Sequence, residues 1–285
     1  NRPRAMTLAE LFEHDAETVR GTVTLNTIES MKHAAAHAKK AWGERTYITA
    51  IGPAHIARLK KYVLDEAKLS ETTLAKTLRT LKAIFNRALK EGLLHENPFS
   101  GVRMPKTPSR TKRVFSADET RAMRSVVKNA WWKAFIAVAE TTGFRKSELL
   151  NLQWRDIDFE LKIAKITAKR AGTFEHEGNE YPILAWHAKS HEERAVPLPD
   201  WVLSLLAEYQ THCEESPYVF IDLDRLFVVA TEIDGKGRLG PNYELANNLS
   251  RNFDLIQRQA REFLAREAGV ELAKFPWQRG TLHDL

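Results

Sequence analysis

The sequence is short of several things that would assign it to familiar classes. It has one cysteine, Cys213, so no disulfide can form within the chain, and a reducing, cytoplasmic setting fits best. No apolar run approaches the roughly 18 to 20 residues that would span a bilayer, which gives no reason to expect a membrane partner. The opening stretch "NRPRAMTLAELFEHD" lacks the apolar core of a signal peptide, and no internal repeat or low-complexity tract is present. The first residue is Asn1 rather than Met, from which we expect a processed or excised piece of a longer protein.

What is present is an ordinary globular composition, 43% apolar and 28% charged, over 285 residues, enough for two domains. The formal net charge is +6, which points weakly to a polyanionic partner. Its distribution is more informative. Between Ser70 and Val114 stand ten basic residues (Lys76, Arg79, Lys82, Arg87, Lys90, Arg103, Lys106, Arg110, Lys112 and Arg113) against three acids (Glu71, Glu91 and Glu96). That local excess of seven exceeds the charge of the whole chain, so the remainder is close to neutral.

The first hundred residues read as helices. "TLAELFEHDAE" and "TIESMKHAAAHAKKAW" are amphipathic, and "GPAHIARLKKYVLDE" follows a Gly-Pro break. In "SETTLAKTLRTLKAIFNRALKEGLL" the residues Leu74, Leu78, Leu81, Phe85 and Ala88 form one apolar stripe on a helix capped by Ser70 and stopped by Gly92. The stretch "GVRMPKTPSRTKRV" has two prolines, five basic residues, no acid and no apolar period, and reads as a linker able to lie along phosphates. A capping box, Ser116 to Glu119, then opens a new helix. Helical runs continue through "WWKAFIAVAETTG"; "LKIAKITAKR", "EYPILAWHAKS" and "RAVPLP" then read as strands of a small antiparallel sheet, separated by "AGTFEHEGN" and "HEE". Helices return with "DWVLSLLAEY" and with the stripe Leu245, Leu249, Phe253, Ile256, Ala260 and Phe263. We therefore expect a mainly α, α+β chain: a helical domain over residues 1–101, a basic linker over 102–114 and a second domain over 115–285.

The stretch "TTGFRKSELLNLQW" places an arginine, Arg145, at the head of a leucine-rich segment, where the helix dipole disfavours a cation. Further along come Asp156 and Ile157, a hairpin carrying Lys189, then "VPLP", "SPYVF" and "TLHDL". In this order the motifs resemble the tyrosine recombinase family of phage-integrase type. The likeness runs from Thr7 onward, and the first hundred residues resemble that family's core-binding domain. It implies site-specific recombination through a 3′-phosphotyrosyl intermediate on double-stranded DNA, in a homo-oligomer (tetramer), in a bacterial or phage-infected cell, with neither metal nor cofactor. Arg145 would be a phosphate clamp, since a guanidinium offers paired donors to the charge that builds up on the phosphate oxygens. Glu148, one turn later, would orient it or be an ordinary surface acid. Lys189 would be the hairpin general acid for the 5′-oxygen, with Lys169 and then Lys165 as competitors if the strand register differs. His283 would exchange a proton beside the scissile phosphate. Lys76, Arg79, Lys82, Arg87, Arg103, Lys106, Arg110, Lys112 and Arg113 would contact DNA.

The family's second arginine would fall one residue past Leu285, and its tyrosine later still. All six tyrosines here precede His283, so we assign no nucleophile and expect a truncated chain that binds DNA without cutting it. Two rivals remain. One is a non-catalytic DNA-binding module on the same scaffold. The other is a metal-dependent nuclease built on Asp156, Asp158 and Glu160.

Overall fold

The computed structural model describes residues 6–20, 22–106, 113–188, 192–213, 216–230 and 248–285, with Leu25 and His283 described by their backbone alone. The chain divides into two compact units, Asn1–Arg110 and Thr111–Leu285.

The first unit is helical. Helices α1 (Leu8–Thr18), α2 (Leu25–Trp42) and α4 (Glu71–Lys90) begin at Thr7, Thr24 and Ser70, whose hydroxyls accept free backbone N–H groups, and α3 (Pro53–Lys61) follows Gly52. Thr7 and Glu10 close a capping box on α1, and the Ser70 hydroxyl accepts from the Thr73 N–H at 3.2 Å on α4. Pro53 stands in the first turn of α3, where its missing N–H costs nothing. In α4 the whole expected stripe, Leu74 to Ala88, is buried, joined by Ile84. Burying each large member contributes about 1.5–3 kcal/mol, so packing rather than propensity holds this helix. It stops at Gly92, whose φ of +75° lets the Leu93 N–H turn back to the Ala88 carbonyl at 2.9 Å. Beyond it Phe99 is fully buried with its ring 5.2 Å from Phe85.

The second unit contains α5 (Ala117–Val126), α6 (Ala130–Thr142), the short α7 (Lys146–Leu150), strands β1 (Ile157–Asp158), β2 (Ile163–Ile166), β3 (Gly172–His176), β4 (Asn179–Ile183) and β5 (Arg194–Pro197), and helices α8 (Asp200–Gln210), α9 (Leu223–Ala230) and α10 (Leu249–Glu267). The core is built on the nearly continuous apolar run of α6, whose Phe135 stacks on Trp131 with ring centroids 4.7 Å apart. In α10 the stripe residues Leu249, Phe253, Ile256 and Ala260 are buried and Phe263 packs at the edge; Leu245 lies outside the described residues.

The β-region is more elaborate than expected. Strands β1, β2 and β5 form one antiparallel sheet in that order, and β3 pairs with β4 as a separate hairpin. The stretch "AGTFEHEGN", read above as a separator, supplies β3 and the hairpin turn. The turn is Glu177-Gly178, with φ of +48° and +77°, the left-handed pair that a two-residue hairpin requires. Phe174 and Tyr181 face each other across this hairpin with stacked rings 5.5 Å apart. A Lys169–Trp186 bridge, with N–H to carbonyl bonds of 2.7 and 3.0 Å, ties the hairpin's base together.

Candidate functional site

Gly143, in the left-handed region at φ +63°, ends α6, and Phe144 is buried in the core just beyond it. Arg145 follows with extended backbone as the N-cap of α7. An arginine has no oxygen to cap a helix, so Glu148 does the work: its carboxylate accepts the Arg145 N–H at 2.8 Å and the Arg145 Nη1 at 3.0 Å. The Glu148 side chain is 1% exposed, whereas that of Arg145 is 56% exposed. Glu148 is thus the orienting residue rather than a solvated surface acid. Among the described residues the Arg145 guanidinium bonds to Glu148 alone, which leaves most of its donors to an outside acceptor.

Glu148 has a second cationic partner that the sequence did not reveal. Arg194, at the start of β5 and opposite Ile166, donates through Nη2 to Oε2 at 2.6 Å and through Nη1 to Oε1 at 3.2 Å. Its guanidinium lies 5.2 Å from the Phe144 ring centroid. Burial pushes the Glu148 carboxyl up, but the hydrogen bonds from Arg194 and Arg145 outweigh it and hold it below the usual glutamate range. The bond to Glu148 raises Arg194 in turn. No alternation or spacing signalled this pair, because its members are 46 positions apart.

Lys169, the competing hairpin lysine, points inward. Its side chain is 1% exposed, and its ammonium donates to Asp156 at 2.7 and 2.8 Å and to the Thr167 carbonyl at 3.2 Å. A general acid must reach its leaving group, and an ammonium wholly enclosed by its own fold does not. Lys165 faces Asp158 at 3.5 Å. Asp156 also accepts from the Gln153 N–H at 2.8 Å and is buried, whereas half-buried Asp158 accepts the Leu161 N–H at 2.9 Å. The trio Asp156, Asp158 and Glu160 does not converge, and no group of three potential ligands among the described residues is placed to hold a metal ion.

Lys189 lies outside the described residues; the nearest described ones are Ala188, which is buried, and Glu192. His283 falls in a 3-10 turn, Leu282–Asp284, and its side chain is likewise not described. The turn is firmly seated. Leu282 is in the core, the Asp284 carboxylate accepts the Thr281 N–H at 2.6 Å, and the Phe115 N–H reaches the Asp284 carbonyl at 3.3 Å. Just before it the buried Gln257 amide both accepts from the Gly280 N–H at 2.8 Å and donates to its carbonyl at 3.1 Å.

The basic residues divide into two sets. Lys76, Arg79, Arg103 and Lys106 are exposed and Lys82 is half-exposed. Arg87 instead grips buried Asp15 through two bonds of 2.5 and 2.8 Å, and Arg113 is folded onto Phe115 and Trp277 while pairing with Glu119. Both are engaged by their own unit, a use their charge alone did not disclose. Arg110 and Lys112 lie outside the described residues.

The phage integrase family matches residues 113–236, and the phage integrase SAM-like domain matches residues 7–106. A tyrosine recombinase XerC-like protein of Caldanaerobacter subterraneus subsp. tengcongensis is 29% identical over 82% of this chain and 60% of its own length. A tyrosine recombinase of Pseudothermotoga lettingae is 28% identical over 57% of this chain and 51% of its own. The chain thus spans between half and two thirds of these relatives. Among solved structures, a Tn1549 transposon integrase in complex with a circular intermediate DNA has a TM-score of 0.66 at 16% identity, covering 98% of this chain and 84% of that one. A lambda integrase tetramer bound to a Holliday junction has a TM-score of 0.64 at 15% identity, covering 99% and 68%. At such identities these two establish the fold. With both domain types matched in order and the mainly helical fold shared, the chain belongs to the phage integrase family of tyrosine recombinases.

Proposed function

We propose that this chain is the DNA-binding and phosphate-activating part of a site-specific recombinase, an enzyme that cuts and rejoins duplex DNA through a 3′-phosphotyrosyl intermediate, acting in the cytoplasm as a homo-oligomer, a tetramer on DNA. One observation carries the reading: Arg145 is held at a helix start by a buried carboxylate while more than half of its side chain faces outward. A guanidinium so fixed meets the charge that develops on a phosphate with little reorganisation. In this reading Lys189 supplies the proton to the 5′-oxygen and His283 assists beside the same phosphate, while residues 1–101 bind DNA, 102–114 link and 115–285 carry the chemistry. Lys76, Arg79, Lys82, Arg103 and Lys106 contact the backbone, with Arg110 and Lys112; Arg87 and Arg113 act first within the fold.

The tyrosines favour a second reading for the chain as it stands, that of a DNA-binding module without its own nucleophile. All six precede His283, and burial pushes both Tyr209 and Tyr218 up from the ordinary phenol value. The Tyr218 hydroxyl is moreover taken up as acceptor of the Leu184 N–H at 2.8 Å. One experiment separates the two. Incubation with a nicked duplex that traps the covalent intermediate should give a salt-sensitive complex and no protein–DNA adduct. A longer protein that contains this chain together with a tyrosine nucleophile should yield a metal-independent adduct that Arg145→Ala abolishes. Such a longer protein that binds duplex yet never forms an adduct would leave the module reading, and failure to bind duplex at low salt would refute both.

A further inference from the structure

We infer that Arg194 is a positioning residue whose task is to occupy Glu148, so that Glu148 holds Arg145 by a single N–H of its side chain and leaves the rest of that guanidinium for phosphate. The inference rests on the DNA reading above and adds a residue to that site.

Glu148 is buried, and its two oxygens offer about four lone-pair positions. All are used: Oε1 by Arg145 Nη1 and Arg194 Nη1, and Oε2 by the Arg145 backbone N–H and Arg194 Nη2. Arg194 takes the end-on, two-point geometry that an arginine and a carboxylate prefer. Arg145 receives what is left. The exposures agree, with 33% for the Arg194 side chain and 56% for that of Arg145.

Charge makes the same point. The three bonded side chains, two guanidiniums and one carboxylate, sum to +1, with Glu192 acting on Arg194 from outside the trio. Without Arg194 that sum is zero, and the two vacated positions are on the same carboxylate that Arg145 already touches through Nη1 and its backbone N–H. The buried carboxylate would then draw the Arg145 fork inward, since an unpaired buried charge is costly. Arg194 is well placed to prevent this because it does not rely on α7. It comes from β5, registered against β2 at Ile166, and rests on buried Phe144.

The test counts phosphates through the salt dependence of binding to a short duplex, where each phosphate contact contributes a log-log slope of roughly −0.9. Arg145→Ala sets the step for that arginine. Arg194→Gln should flatten the slope by the same step, about 0.9, and should add nothing in the Arg145→Ala background. The decisive variant is Arg194→Gln with Glu148→Gln. Removing the carboxylate together with its guard frees Arg145 and should return the slope to that of the unaltered chain. A merely structural role for Arg194 predicts that the second substitution makes matters worse, and a direct phosphate contact by Arg194 predicts that the slope stays flattened; either result overturns the inference. If Arg194→Gln alone does not fold, as judged by circular dichroism, the charge-balanced double variant carries the test with the same two outcomes. Binding by the unaltered chain that ignores salt would sink the DNA reading, and this inference with it; salt-dependent binding without the restoration sinks this inference alone.

Discussion

Replacing Lys169 by alanine tests whether the hairpin lysine that lost its catalytic candidacy has the structural role its burial implies. The ammonium and the Asp156 carboxylate form an ion pair at 2.7 Å with side-chain exposures of 1% and 4%. Removing one member leaves the other charged and enclosed, compensated among the described residues by the Gln153 N–H and the Thr167 hydroxyl at 2.8 and 2.9 Å. Breaking such a pair costs about 3–5 kcal/mol. At roughly 2–4 °C per kcal/mol for a domain of this size, thermal unfolding of the second unit should shift down by roughly 6 to 20 °C. Differential scanning calorimetry reads this directly. Lys169→Met combined with Asp156→Asn should recover much of the loss, because the asparagine oxygen still accepts from Gln153 and no charge remains stranded. A shift of Lys169→Ala below about 2 °C would mean that the pair is solvated, since exposed ion pairs are worth only ~0–1 kcal/mol. Unchanged stability with lost DNA cleavage in the longer protein would make Lys169 the proton donor and reverse the assignment in favour of Lys189.

Further outcomes follow from other parts of the structure. Gly280→Ala should destabilise the second unit by about 1–3 kcal/mol in chemical denaturation, because the added methyl would meet the Phe115 ring at 2.5 Å. Glu148 titrates below its unfolded value, so its stabilisation is complete above about pH 4.3 and is lost as pH falls through the folded value; Glu148→Gln should therefore remove part of the acid-side decline in a pH series of urea melts. Glu140 has the opposite sign: burial raises it above its unfolded value, so its contribution is present below about pH 4.3 and fades as pH rises through the folded value. Glu140→Gln should flatten stability over that range, and a steeper profile would contradict the sign. Replacing exposed Lys76 and Arg79 together by alanine should lower the magnitude of the DNA-binding salt slope by up to roughly 1.8, two phosphates' worth, without moving the unfolding midpoint by more than a degree or so.

The helices were legible because their signals are local. The α4 stripe, the Ser70 cap, the Gly92 stop and the Ser116 to Glu119 box each lie within one or two turns of what they specify, and each is found as expected. The hairpin β3–β4 was not, since its turn uses Glu177-Gly178 rather than an Asn-Gly or Asp-Gly pair, and a glutamate at φ +48° leaves no mark on composition. Helix α9 was missed for a related reason: after Leu223-Asp224-Arg225 the segment is a short continuous apolar run, Leu226 to Ala230, where periodicity cannot separate strand from helix. At the candidate site, the segment marked Arg145 as an arginine at a helix start, which is where it lies. Its environment was not legible. Alternation along β5 says that Arg194 and Val196 share a face but not which carboxylate that face meets, and it is silent on which of the hairpin lysines turns inward.

The two buried carboxylates of this region explain each other. Glu148 joins the start of α7 to β5 through Arg194, and Asp156 joins the turn after α7 to the base of the hairpin through Lys169, whose backbone pairs with Trp186. Trp186 and Arg194 bracket the part of the chain that carries Lys189. Neither pair is needed for stability as such, because well-packed apolar residues of the same volume would serve as well or better. What apolar packing lacks is direction. A leucine at position 148 would fill the space beneath Arg145 but would leave its guanidinium free to turn, and a methionine at 169 would bury the strand without fixing it to the Gln153 turn. Paired charges accept few geometries, so each one sets an angle as well as a contact. The cost of desolvating two ion pairs is offset by the orientation they give to Arg145 at the start of α7 and to the base of the hairpin.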